Sequence, residues 1–205
     1  MSVRIYIEGG GDSKDLHIRC REGFRRLLEK CGFEGRMPRL FESGSGYAAL
    51  QDFTPALAGS ASSGIYPMLL IDSEEPIATP SSPSQVWDHI VARWRGCRPP
   101  GSADDQAQAM VTCVETWVLA DRGALRHHYG SELQESPLLP ETGLEARARG
   151  DVQDALERAT RNCGRDRSYA KGRRSFVILA ELDPETLKLH LPHFVSFLQA
   201  LDRHS

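Results

Sequence analysis

Tyr66 to Ile71 reads Tyr-Pro-Met-Leu-Leu-Ile, a run without a charged side chain that ends abruptly in Asp72-Ser73-Glu74-Glu75. A strand with one wet face alternates apolar and polar residues, whereas an unbroken apolar run asks for cover on both faces, the habit of parallel sheets between helix layers. Val3 to Ile7 is a second such run and closes with Glu8 and the glycines Gly9, Gly10 and Gly11. Asp12 or Ser13 then caps a helix whose apolar positions Leu16, Cys20, Phe24, Leu27, Leu28 and Cys31 recur at helical spacing until Gly32 stops it. Strand, loop and helix in that order predict an α/β fold: an open, mainly parallel sheet with helices on both faces.

The remaining segments continue the alternation. A strand is expected at 37–41, a Gly/Ser turn at 43–46, a helix at 47–57 and a small-residue linker from Ala58 to Gly64. A Pro/Ser loop precedes an amphipathic helix at 85–94, and Arg95 to Asp105 is loop. Ala109 to Val114 is the fourth strand candidate, running into Glu115 and a helix from Thr116 to His128. Tyr129 to Gly150 shows the least pattern. Helices are expected at 151–161 and 168–182; Asp183-Pro184 is a cap followed by proline in the first helical position, and Pro192 starts the last helix, with Phe194, Val195, Leu198 and Leu201 as its apolar face. No internal repeat or domain boundary interrupts the chain. The expectation is one domain over 1–205, with its core at about 3–128 and a helical C-terminal extension at about 151–202.

Composition narrows the function classes. The 205 residues, 40% apolar and 26% charged, suffice for a sizeable core. No stretch reaches the ~18 uninterrupted apolar residues of a membrane span, and no apolar signal region follows the N-terminus. The five cysteines are scattered without a CxxC pair, which argues against a disulfide framework or a zinc site and for reduced thiols in the cytoplasm. The net charge of −3 conceals a polarised distribution: between Arg158 and Arg174 seven basic residues face one acid, leaving that window at +6 and the rest of the chain at −9. Such a window is a candidate phosphate-attracting face, with Arg165, Arg167, Lys171, Arg173 and Arg174 as its nucleic-acid-binding residues.

Glu8, Asp72, Glu74 and Glu115 all fall near expected carboxyl ends of strands, where the loops of an open parallel sheet converge over a crevice. Carboxylates gathered there repel one another, and the usual resolutions are a hard cation such as Mg²⁺ or a raised pKa.

The pattern Ile7-Glu8-Gly9 at a strand end before a helix, with Asp72-Ser73-Glu74 ending a later apolar strand, resembles the TOPRIM domain of topoisomerases, primases and OLD-family nucleases. Val114 to Asp121, Tyr169-Ala170-Lys171 and Leu182-Asp183-Pro184 extend the likeness to a family of small bacterial TOPRIM-like proteins, some of whose relatives accompany ABC-type ATPases in phage defence. The resemblance covers residues 3 to 201. It departs from the family in Glu74, which stands where TOPRIM usually carries a second Asp. It implies a TOPRIM-like sheet, Glu8 as general acid/base, and Mg²⁺ or Mn²⁺ on Glu8, Asp72, Glu74 and Glu115. It further implies Lys171 as a catalytic cation and a phosphodiester hydrolase acting on DNA or RNA. The alternative is a non-catalytic module on the same scaffold that partners an ATPase.

Each residue also has a plainer role open to it. Glu8 can cap a helix or pair with an arginine, Asp72 and Glu74 can form a solvated acidic turn, and Glu115 can be the structural acid of a helix start. The arginines can pair with Glu157 and other acids. His127 and His128, adjacent in sequence, do not share one helix face, and Trp87, Trp94 and Trp117 are expected in the core. Gly9 to Gly11 leave a nucleotide phosphate cradle open, although neither GxGxxG nor GxxxxGK[ST] is present and Asp12 puts negative charge where phosphate would sit.

Overall fold

The computed structural model describes residues 2–11, 13–94, 97–164, 167–170 and 172–205. Asp12, Arg165 and Lys171, singled out above, lie outside the described residues. Four strands, β1 (Ser2–Gly10), β2 (Arg39–Gly44), β3 (Ile65–Asp72) and β4 (Ala107–Met110), form one sheet in the order β2-β1-β3-β4. Every pairing is parallel, with Ile5 opposite both Leu40 and Met68, and Leu70 opposite Gln108. The chain steps from β1 to β2 on one side and then crosses to build β3 and β4 on the other. The strand order therefore reverses between β1 and β3, the position at which open α/β sheets hold their crevice.

Residue alternation divides the sheet between two cores. Val3, Ile5, Ile7, Met68, Leu70 and Met110 face one layer, with α1 (Lys14–Leu28) and α10 (Pro192–His204) against them; Tyr6, Leu69, Ile71, Ala107 and Ala109 face the other, covered by α2 (Gly46–Ala58) and α4 (Gln85–Trp94). Each large side chain so buried contributes about 1.5–3 kcal/mol. The sheet is α/β with helices on both faces, as the unbroken β3 run predicts. Trp117 centres the larger core, packed edge-on against Phe24 and Phe194. Leu187, Leu191, Phe194, Phe197 and Leu201 from the C-terminal helices sit in that same buried cluster as β1.

Ser13 caps α1, its Oγ accepting from the Leu16 N–H at 3.2 Å. The helix runs on into a π-turn (Glu29–Phe33) that ends around Gly32, where φ is +87° and a side chain would be strained. Ser45 caps α2 in the same manner.

Several elements differ from the sequence reading. The linker at 58–64 contains the short helix α3 (Ser60–Ser63). β4 ends at Met110, and Val111 and Cys113 are buried in the turn after it rather than in the ladder, which is why an apolar run there overshoots the strand. The expected helix over 116–128 is two helices, α5 (Val114–Ala120) and α6 (Arg122–Tyr129). Asp121 breaks them apart: its carboxylate accepts from the Ala124 N–H at 2.9 Å and the Asp183 N–H at 2.8 Å. α7 (Arg149–Thr160) begins two residues early. α8 is only Arg173–Leu179, because the Tyr169 N–H is bonded to Thr160 Oγ1 at 2.7 Å and Gly172 turns at φ +85°. α9 (Pro184–His190) carries the predicted Asp183 cap. The segment at 129–150 is pinned through Glu145, whose oxygens meet His193 N and Nδ1 at 3.0 and 2.7 Å.

Among the described residues no helix is long and apolar enough to cross a membrane. The five cysteines are free thiols, with Cys20, Cys113 and Cys163 buried.

Candidate carboxylate site

β1 and β3 are neighbours in the sheet, so Glu8, near the end of β1, and Asp72, the last residue of β3, emerge side by side at the switch point. The Asp72 N–H donates to Glu8 Oε2 at 3.0 Å, and Asp72 Oδ1 accepts from the Val114 N–H at 3.1 Å. Both carboxylates line a cavity of about 330 Å³ that also takes in Gly9 to Gly11, Glu115 and Arg149. Burial pushes Asp72 well above its ordinary carboxylate range, and the charges on Glu8 and Glu115 push it further. Glu8 is also raised, by burial first and by Glu74, against the Asp72 amide and the arginines at 149 and 93.

Glycine makes this closeness possible. A Cβ at Gly46, the first residue of α2, would lie 2.6 Å from Glu8 Oε2 and 3.0 Å from Trp94. Gly10 and Gly11 take φ of +88° and +52°, so the loop between Glu8 and α1 is one that bulkier residues would strain.

Glu115 is 1% exposed, and its Oε1 accepts from Tyr169 Oη at 2.7 Å and Ser175 Oγ at 2.8 Å. Burial pushes it up, but those donors more than offset the push and hold it below its ordinary range. Its Oε2 is buried with no partner among the described residues. An orphaned carboxylate oxygen beside an acid-lined cavity is more than a helix-start acid requires.

Glu74 behaves differently from the ligand that the resemblance implies. It holds a left-handed backbone conformation, φ +60°, rare for a residue with a side chain. Its N–H donates to Thr112 O at 2.8 Å, Arg93 pairs with Oε2, and Arg149 Nη1 lies 2.8 Å from Oε1. Burial opposes ionisation of Glu74, but the two arginines outweigh it and the pKa is lowered. Arg93 also donates to Ser73 O at 2.7 Å, and His89 Nε2 meets that same oxygen at 2.9 Å. The acid-x-acid pair thus splits into one acid facing acids and one held between arginines.

Among the described residues the arginines of the basic window go to different places. Arg167 bonds Glu132 at 2.9 Å and the carbonyls of His128 and Tyr129 at 3.1 Å, closing the C-terminal end of α6. Arg158 and Arg161 border a separate cavity with Asp154 and Glu157. Arg173 is exposed and Arg174 half-buried at the start of α8, next to Gly172, which lines the carboxylate cavity. His128 pairs with Glu181 at 3.0 Å, and Trp87 and Trp117 are fully buried whereas Trp94 is half-buried.

Among the described residues no three His, Cys, Asp or Glu side chains stand as a ready metal cage. Mg²⁺ rarely asks for one: it keeps several waters and binds through one or two carboxylates plus substrate phosphate. Two adjacent carboxylates raised chiefly by burial, with an orphaned third behind them, fit that donor set. Sequence reasoning missed Arg149, Arg93 and Gly46. Arg149 falls in the segment that showed least pattern, and no local spacing marks any of the three.

A family model described as a domain of unknown function, DUF4276, matches residues 7–202 of the chain. No curated protein and no solved structure matches it.

Proposed function

The chain belongs to the DUF4276 family, whose description carries no activity, and from the site we propose that it is a Mg²⁺-dependent phosphodiester hydrolase acting on DNA or RNA in the cytoplasm. The observation that supports this reading is the meeting of Glu8 and Asp72 at the switch point, with the Asp72 amide 3.0 Å from Glu8 Oε2. Glu8 and Asp72 would hold Mg²⁺ or Mn²⁺. Such an ion, when bound, neutralises charge on a phosphate and lowers the pKa of a coordinated water.

The chain's own residues supply the rest. Glu8 Oε2 is committed to the Asp72 amide, leaving Oε1 to take a proton from the attacking oxygen or return one to the leaving oxygen. Glu115 lies behind Asp72 and keeps it repelled, which favours occupation of the pair by a cation. Arg173 and Arg174, which follow the cavity-lining Gly172, would meet flanking phosphates.

Melting curves with Mg²⁺ or Mn²⁺, followed by incubation with plasmid, single-stranded DNA and tRNA, test the reading on wild type and Asp72→Asn. Metal protection and cleavage in wild type, both lost in Asp72→Asn, are the expected result. Wild type that gains no protection from either ion and cuts none of the substrates overturns it. Protection without cleavage points to the other reading of this scaffold, a binding module that docks on a partner such as an ABC-type ATPase.

A further inference from the structure

Arg149 opens α7 and reaches into the carboxylate cavity with its side chain 20% exposed. The charges on Asp72 and Glu74 both favour the Arg149 cation, and its ion pair is made with Glu74, through Nη1 at 2.8 Å. Glu74 is itself a fixture. Its backbone is locked in the left-handed region, its amide is bonded to Thr112 O, and its other oxygen belongs to Arg93, so Oε1 is presented to Arg149 in one place. A residue held in so sparsely populated a conformation is the kind of local strain that accompanies function. A guanidinium has five N–H donors in a planar fork, and the ion pair with Glu74 is made at Nη1. Arg149 lines, together with Glu8 and Asp72, a cavity of about 330 Å³. That fork is shaped for two oxygens of a phosphate.

We propose that Arg149 is the phosphate-binding residue of this cavity and Glu74 its positioning residue, so that the cavity takes the phosphate of a nucleotide unit beside the Glu8 and Asp72 carboxylates. The inference rests on the hydrolase reading only in naming which phosphate is bound; the anion site itself needs no cleavage to exist. It also explains why the second acid of the Asp72-Ser73-Glu74 pair faces arginines.

Titration calorimetry with thymidine 5′-monophosphate, and separately with inorganic phosphate, in Mg²⁺ buffer tests it on wild type, Arg149→Met, Arg149→Lys, Glu74→Gln and the Arg149→Met/Glu74→Gln double variant. Loss of a charge-assisted fork weakens thymidine monophosphate binding at least about tenfold in Arg149→Met, with Arg149→Lys intermediate and Glu74→Gln weakened about threefold to tenfold. In the double variant Glu74→Gln adds no further loss, because its effect passes through Arg149; a purely structural role would add its own. Equal binding by wild type and both Arg149 variants overturns the inference and leaves the hydrolase reading standing, as does wild type that binds neither anion. Nucleotide binding that depends on Arg149 in a protein without Mg²⁺ protection upholds the inference and sinks the hydrolase reading instead. Binding of inorganic phosphate as tight as that of the nucleotide assigns the site to free phosphate and overturns the nucleotide part.

Discussion

An aspartate stands at each end of β3, Asp72 buried and Asp105 half-buried, and they are opposites. At the far end, Asp105 beside the start of β3 has both oxygens answered: Tyr66 Oη donates to Oδ1, while Arg203 Nη2 and His204 Nε2 meet Oδ2 at 2.9 and 3.1 Å. Burial pushes Asp105 up, but these partners outweigh it and the pKa falls. His204 also stacks on Tyr66 with ring centroids 3.6 Å apart, which fastens the last helix to the sheet. At the other end, Asp72 receives one amide and faces two further acids, and its pKa rises. A polar cluster built for stability satisfies its members; one built to receive something leaves them in want of it.

Asp72→Asn breaks the contrast most severely. On the proposed hydrolase reading, halving the pair lowers cleavage by about a thousandfold or more, the scale of several kcal/mol of charge stabilisation, as read by initial rates on the best of the three nucleic-acid substrates. The same variant melts higher than wild type in metal-free buffer at neutral pH, since a repelled carboxylate becomes a neutral amide; each kcal/mol gained is about 2–4 °C for a chain of this size.

Gly46→Ala comes next. Its methyl would sit 2.6 Å from Glu8 Oε2, so Glu8 must shift, and activity falls by about a hundredfold through misplacement alone. Circular dichroism unchanged from wild type is expected beside that loss; intact activity would show the close approach to be dispensable.

Asp105→Asn sharpens the comparison from the other side. It lowers stability by about 1–3 kcal/mol in urea melts, through lost charge-assisted bonds, and leaves metal protection untouched. The pH dependence of the two sites has opposite sign. Asp105 has its folded pKa below the unfolded value of 3.8, so its contribution is present above that value and is lost as pH falls through the lowered folded pKa. Asp72 and Glu8 have folded pKa values above the unfolded 3.8 and 4.5. Between the unfolded and folded values the native state binds more protons, and stability drops as pH rises. Urea midpoints in metal-free buffer between pH 4 and pH 8 should therefore decline less in Asp72→Asn than in wild type, and Mg²⁺ should flatten the wild-type decline.

The smallest effect separates two arginines that look alike in sequence. Arg173→Ala, next to the cavity-lining Gly172, weakens oligonucleotide binding by a few-fold and reduces the salt slope by about one. Arg167→Ala, which loses contacts to Glu132 and the end of α6, leaves the salt slope alone and costs about 0.5–1.5 kcal/mol of stability. Equal salt slopes in the two variants would return the whole basic window to a single face.

Much of this architecture is legible in the linear chain because its signals are local. The apolar run ending at Asp72, the Ser13 and Asp183 caps and the amphipathic 85–94 segment each state their own structure, and the parallel sheet follows from them. The helix break at Asp121 was hidden because the capping partners of that residue include Asp183, far along the chain. For the site, the sequence brings Glu8 and Asp72 to like ends of like strands. It is silent on which way the next acid turns.

Periodicity and caps are short-range properties, and they determined by themselves that this chain makes an α/β sheet with acids at its carboxyl edge. Which acids share a cavity was decided only in three dimensions. Strand order set Glu8 beside Asp72, a left-handed turn gave Glu74 to Arg93 and Arg149, and α8 with the turn before it brought Ser175 and Tyr169 onto Glu115. The physical reason is that a carboxylate's charge state depends on the water removed and the charges brought near, and both are properties of the packed molecule rather than of the residues that adjoin it in the chain.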